Sequence, residues 1–234
     1  MPRAFPSELW VKRFRRFLSA GAQGDAAHDL EHLRRVAANA LALARAEGAR
    51  PEIVLAAAWL HDCVIVPKNS PRRAQASALS ARRAGLFLRR AGFPSALIPA
   101  VEHAIEAHSF SAGVTPRTPE ARVVQDADRL DALGAVGIAR CFTVGGALGR
   151  ALYAPGSVRA RRIDDARYTV DHFHAKLLRL EKTMTTTAGR REARRRTAFM
   201  RTYLRRLDEE IGAVKPPAAK TRRATSRPGA YARR

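Results

Sequence analysis

Cysteine is almost absent. Cys63 and Cys141 are the only two in 234 residues. Two isolated thiols make neither a disulfide framework nor a zinc ribbon, and Cys63, inside an apolar stretch, reads as a small core hydrophobe. Aromatic residues are scarce, at 6% of the chain. With alanine abundant, the core has to come from closely packed helices. No apolar run reaches the roughly 18 residues of a membrane span; the run from Ile53 to Leu60 leads straight into His61-Asp62. A signal peptide's apolar segment is missing, because Lys12, Arg13, Arg15 and Arg16 interrupt the N-terminus. Glu8 argues against a mitochondrial presequence. The expectation is a cytoplasmic protein with no membrane partner. Period-2 alternation is absent over any useful length, as is an internal repeat, so an all-α fold is expected.

Basic charge is what the chain has in excess. Lys and Arg number 43 against 21 acidic residues, a formal net charge of +22. Such a protein attracts polyanions over long range. Much of the charge falls in pairs (Arg34-Arg35, Arg72-Arg73, Arg82-Arg83, Arg89-Arg90) that read as solvated helix faces. Hydrophobic residues make up 46% of the chain, enough for a substantial core.

Helix signals follow one another along the chain. Pro6-Ser7 opens a first helix ending at Gly21, and Asp25 starts a second that runs to Glu47. Pro51 begins a third, apolar nearly all round and therefore central. A fourth runs from Ser70-Pro71 to Gly92, a fifth from Pro94-Ser95 through His108, and a sixth from Thr118-Pro119-Glu120 through Leu130. The glycines between Gly134 and Gly149 predict a short helix and then a loop. Residues 150–165 read as irregular, followed by helices near 166–184 and 188–212. One domain over residues 1–214 is expected, with its core at about 25–135 and a helical extension at 136–214. Residues 215–234 contain Pro216-Pro217 and seven basic residues with no acid, and read as a disordered tail able to touch nucleic acid weakly.

Histidines and aspartates inside apolar helices carry the chemistry. Burying them is costly unless something pairs with them. A divalent ion bound by imidazole nitrogen and carboxylate oxygen meets that need. His61-Asp62 ends the most apolar helix, and adjacent helical residues point about 100° apart, so both reach one ion only near a helix end. His28 and His32 share a helix face at i, i+4. His103 and His108 differ by about 140° and do not share an ion. Asp126, Asp128 and Asp131 all lie close together on the sixth helix. Helical phase places Asp131 nearest the face of Val124, Ala127 and Leu130, so the residues alone leave open which aspartate completes the site.

An ordered set of phrases resembles the HD-domain superfamily of metal-dependent phosphohydrolases. In particular it resembles a bacterial branch of small HD proteins that includes nucleotide pyrophosphatases. The phrases are Ala27-His28-Asp29 through His32 with Arg34-Arg35-Val36, then Leu60-His61-Asp62, Pro67-Lys68-Asn69 and Ala107-His108-Ser109-Phe110-Ser111. They continue with Val124-Gln125-Asp126-Ala127-Asp128-Arg129-Leu130, Ile138-Ala139-Arg140, Gly145 to Gly149, Asp171-His172-Phe173 and Lys176-Leu177-Leu178. The similarity spans roughly residues 25–205. It implies an HD helical bundle with additional C-terminal helices and metal ligands at His32, His61, Asp62 and Asp128. His28, Asp126 and Asp131 are then supporting residues. Many relatives carry an acidic residue soon after the His-Asp pair, whereas this chain reads Cys63-Val64-Ile65-Val66. A metal lowers the pKa of bound water on its own, so that acid is dispensable.

The activity implied is hydrolysis of a nucleotide or related phosphate ester by metal-activated water, as (d)NTP to (d)NMP plus pyrophosphate. Manganese is the expected ion, with Mg, Fe, Co, Ni or Zn as alternatives. Asp62, His108 and Lys68 are expected in catalysis, and Lys68, Arg129 and Lys176 in gripping phosphate. Alternatives are a phosphomonoesterase, a signalling-nucleotide phosphodiesterase, or a nucleic-acid-binding regulator with a structural metal. Either a monomer or a homodimer is compatible with the sequence.

Overall fold

The computed structural model describes residues 5–21, 30–66, 70–109, 112–155 and 161–212. Nine α-helices are found among them: α1 (Ser7–Gly21), α2 (Leu30–Glu47), α3 (Pro51–Leu60), α4 (Ala76–Arg90), α5 (Ile98–His108), α6 (Pro119–Asp131), α7 (Gly134–Ala147), α8 (Thr169–Ala175) and α9 (Thr187–Glu210). Among the described residues there is no strand, only an isolated bridge between Ala151 and Tyr168. No single helix among them is long and apolar enough to cross a membrane.

The centre is α3. Pro51 pre-sets its first turn, and every residue from Ile53 to Leu60 is buried. Ala56, Ala57 and Ala58 keep its surface thin, so α2, α5 and α6 pack closely around it. Trp10 and Phe14 of α1 close one end against Phe93 and Phe87. The apolar cluster continues without a break from Trp10 to Leu204 in α9.

Four sequence expectations shift. The helix expected from Ser70-Pro71 begins only at Ala76, after a 3₁₀ turn at Arg73–Gln75, and the one expected from Pro94 begins at Ile98, after a turn at Ser95–Leu97. The short helix and loop expected over 134–149 is one continuous helix, α7. Its glycines serve close packing: a Cβ on Gly145 would lie 2.2 Å from Thr169 Oγ1. The helix expected near 166–184 breaks at Lys176 (φ −134°, ψ −60°) into α8 and a 3₁₀ segment, Leu177–Thr183. The expected start of α2 at Asp25 and the tail at 215–234 lie outside the described residues.

Two buried carboxylates fasten the C-terminal helices. Asp126 of α6 accepts from the backbone N–H and hydroxyl groups of both Thr185 and Thr186, at 2.7–3.1 Å. Thr186 in turn caps α9 by accepting from Gly189 N–H. A Cβ at Gly189 would come within 2.3 Å of Asp126 Oδ2, so the approach needs glycine. Asp171 opens α8 and receives both guanidinium N–H groups of Arg161 at 2.6 Å, plus Asp164 N–H at 2.7 Å.

Asp126→Ala removes the acceptor of four donors, of which only the Thr185 hydroxyl has another among the described residues, the Arg122 carbonyl at 3.4 Å. It should lower the unfolding free energy by about 3 kcal/mol in urea denaturation; an unchanged midpoint would refute this fastening. For Asp171, burial pushes the carboxyl pKa up, but the Arg161 and Asp164 hydrogen bonds outweigh it and hold the group below its ordinary value. A carboxyl depressed in the fold contributes stability above its unfolded value of about 4, and loses it as pH falls towards the folded value. Stability should therefore fall more steeply below about pH 4 in the parent than in Asp171→Asn, which is weaker at neutral pH.

Candidate metal centre

Four helices bring histidine and aspartate together. His61 follows directly on α3, His108 is the last residue of α5, His32 lies in the first turn of α2 and Asp128 in α6. All three imidazoles are buried, His61 completely.

Each ring is locked through Nδ1. A helix leaves its last carbonyls without intrahelical partners, and two of the histidines use them: His61 Nδ1 lies 2.9 Å from Ala58 O and His108 Nδ1 2.6 Å from Ile105 O. A carbonyl only accepts, so both Nδ1 atoms carry the proton. His32 sits at a helix start, where no such carbonyl is free. Its Nδ1 instead meets Asp131 Oδ2 at 2.7 Å, across 99 residues of sequence. Asp131 is buried and also accepts from Arg35 Nε at 2.8 Å and Arg140 Nη1 at 2.5 Å. Burial raises the Asp131 pKa, but His32 and the two arginines outweigh it and drive it well below the carboxylate range. Asp131 is thus an ionised acceptor, and His32 too is protonated on Nδ1.

With Nδ1 occupied, all three Nε2 lone pairs face inward. His32 Nε2 and His61 Nε2 lie 3.6 and 3.7 Å from Asp128 Oδ1. His61 Nε2 and His108 Nε2 each lie 3.5 Å from an oxygen of Asp62. The donor atoms of His32, His61 and Asp128 all fall within 4.8 Å of one another, as do those of His61, Asp62 and His108. Ligands about 2.1 Å from a shared ion stand about 3.0–3.5 Å apart, so the cluster is slightly wider than a closed site. His61 Nε2 has no hydrogen-bond partner although it is fully buried. A buried lone pair aimed at two carboxylates is what a cation satisfies, and the donor set fits a divalent ion. Burial lowers the His61 pKa, favouring the neutral ring that a metal requires. Burial also opposes charging of His108, but Asp62 beside it prevails and raises its pKa.

The three aspartates of α6 now separate. Asp126 is consumed by Thr185 and Thr186, and Asp131 by His32, Arg35 and Arg140. Of the three, Asp128 alone faces the Nε2 atoms of His32 and His61, with its side chain 30% exposed. Asp62 is 29% exposed, so both carboxylates border the open side. Arg129 donates to the carbonyl of Thr183. Lys176 is exposed at the end of α8 and has no side-chain partner among the described residues. His103 accepts the Arg117 backbone N–H at 3.0 Å and stands apart from the cluster. His28 and Lys68 lie outside the described residues. Arg35 and Arg140 anchor Asp131, a role the sequence does not signal, because the Arg34-Arg35 pair reads as solvated surface.

Comparisons with known proteins agree with this geometry. Residues 29–133 match the HD domain family. The uncharacterized Bacillus subtilis protein YpgQ is 36% identical over 191 residues, covering 80% of this chain and 86% of YpgQ. The crystal structure of YpgQ in complex with ADP matches with a TM-score of 0.66 at 34% identity, covering 85% of this chain and 97% of that one. An HD-superfamily hydrolase from Bacillus thuringiensis matches with a TM-score of 0.69 at 32% identity, covering 89% and 97%. A Lactobacillus plantarum structure gives 0.67 at 30% identity, covering 91% and 100%. HD domains use divalent metals, and the buried His-Asp cluster lies within the matched span. With relatives above 30% identity along nearly their whole length, the chain belongs to the HD-domain superfamily and is an HD-superfamily hydrolase.

Proposed function

We propose that this hydrolase cleaves nucleoside triphosphates, adding water across the α–β phosphoanhydride bond to give a nucleoside monophosphate and pyrophosphate. The observation that carries the reading is ADP bound to a YpgQ structure matched over 97% of its length. It is joined by the orphaned Nε2 of His61 in this chain. His32, His61, Asp62 and Asp128 would hold the ion, with manganese suited to the mixed nitrogen and oxygen donors. When bound, a divalent ion lowers the pKa of a water and offsets charge on the phosphoryl oxygens.

The remaining roles fall to this chain's own side chains. Asp131 keeps His32 in one tautomer and one orientation, as outer partners of metal-binding histidines do. His108, anchored on Ile105 O, presents Nε2 where a proton can be held or delivered to the leaving group. Lys68, Arg129 and Lys176 are the cations assigned to the phosphate chain. Arg129 would have to divide its guanidinium between phosphate and the carbonyl of Thr183.

The test is chelation followed by return of Mn, Mg or Zn, with a panel of nucleoside triphosphates and diphosphates and identification of the products. Metal-dependent pyrophosphate and monophosphate are expected. Release of orthophosphate alone would replace this reading with a phosphomonoesterase, and no metal-dependent product would end the nucleotide reading. Asp62→Ala should lose metal and turnover together while helical content by circular dichroism holds. Asp131→Asn should weaken metal affinity about 10- to 100-fold by titration, with turnover recovering as metal is raised. Wild-type affinity in that variant would show that Asp131 does not orient His32.

A further inference from the structure

Helix α9 has a packed face and an outer face of opposite character. Ala193, Thr197, Met200 and Leu204 are buried against the bundle. On the outer side Arg191, Arg194, Arg201 and Arg205 recur at steps of three, seven and four, with exposed Ala198 between the middle two. At 1.5 Å per residue this row runs about 21 Å along one side of the helix. Arg195 and Arg206, with side chains 75% and 72% exposed, flank it. Phe199 is 52% exposed and lies next to those two in helical phase, on the side away from the row.

The acids of α9 do not neutralise this row. Glu192 is engaged by Arg195 and Arg196, and Glu209 and Glu210 by Arg206. Arg201 pairs loosely with Glu181 at 3.6 Å. Arg191, Arg194 and Arg205 have no acidic partner among the described residues. Three free guanidinium groups in line, with an exposed aromatic further round the same solvent-facing half of the helix, combine the two features by which proteins hold single strands: cations tracking phosphates and a ring on which a base stacks. The chain's net charge of +22 adds long-range attraction.

We propose that the outer face of α9 binds single-stranded nucleic acid, with Arg191, Arg194 and Arg205 on the phosphates and Phe199 stacked on a base. The surface is separate from the His-Asp centre, and the proposal does not depend on the substrate hydrolysed there.

Fluorescence anisotropy with the full chain and a labelled strand of about 20 nucleotides, over a salt series, tests it. Glutamine is a good helix former, so R191Q/R194Q/R205Q should keep its circular dichroism spectrum. It should bind about 100-fold more weakly at 0.1 M salt, with a log–log salt slope shallower by about 2. Phe199→Ala should weaken binding about tenfold and leave the slope unchanged. The control R72Q/R82Q/R90Q removes equal charge from exposed positions around α4 and should bind within about twofold of the parent. Equal weakening in the control would overturn the proposal in favour of global charge. An unchanged α9 triple variant would also overturn it, as would loss of phosphatidylserine-vesicle binding with oligonucleotide binding intact. Parent-like affinity in Phe199→Ala would overturn the stacking role.

Discussion

An imidazole has one proton and one lone pair, and fixing the first aims the second. The centre of this protein depends on that constraint applied three times. His61 and His108 each donate back to a carbonyl three residues earlier, at the end of their own helix. Helix C-termini supply such carbonyls free of charge, because the helix has no N–H left for them. Placing a histidine on the last turn therefore anchors the ring without help from elsewhere. His32 begins a helix and has no such recourse. It requires a buried, ionised aspartate from α6, itself held by arginines of α2 and α7.

Helix α6 is the frame for the open side of the centre. Gln125 donates to Ala107 O in α5, Asp126 receives Thr185 and Thr186, Arg129 holds the Thr183 carbonyl, and Asp131 gathers His32, Arg35 and Arg140. These contacts leave the helix on different sides, so its rotation about its own axis is set. Asp128 is the carboxylate that this rotation directs at the histidines. The matched HD span stops at residue 133, yet two of the contacts that orient Asp128 come from beyond residue 180. The C-terminal helices therefore belong to the architecture of the centre.

Helix content, order and the centrality of α3 were legible in the sequence, because capping residues, prolines and apolar stripes act over one or two turns. The four metal-site candidates were legible through their similarity to the HD pattern, and the structure gathers them in two triads that share His61, one with His32 and Asp128 and the other with Asp62 and His108. Less was legible where one residue type serves opposite purposes. The glycines of α7 read as helix breakers but admit Thr169 into close contact. Arg129 read as a cation for phosphate and is found on a backbone carbonyl. His108, expected in catalysis, stands 3.5 Å from Asp62.

Three aspartates within six residues of one helix show where the division falls. Local pattern determined that α6 is a helix, that it is buried on one face, and that each carboxylate lies near that face. Periodicity favoured Asp131, because phase measures nearness to the core and says nothing of what the core presents there. Only the packed chain decided the roles: Thr186 waited opposite Asp126, a protonated Nδ1 and two guanidinium groups opposite Asp131, and two bare lone pairs opposite Asp128. A carboxylate's function follows from its partner, and here each partner arrives from a distant stretch of chain.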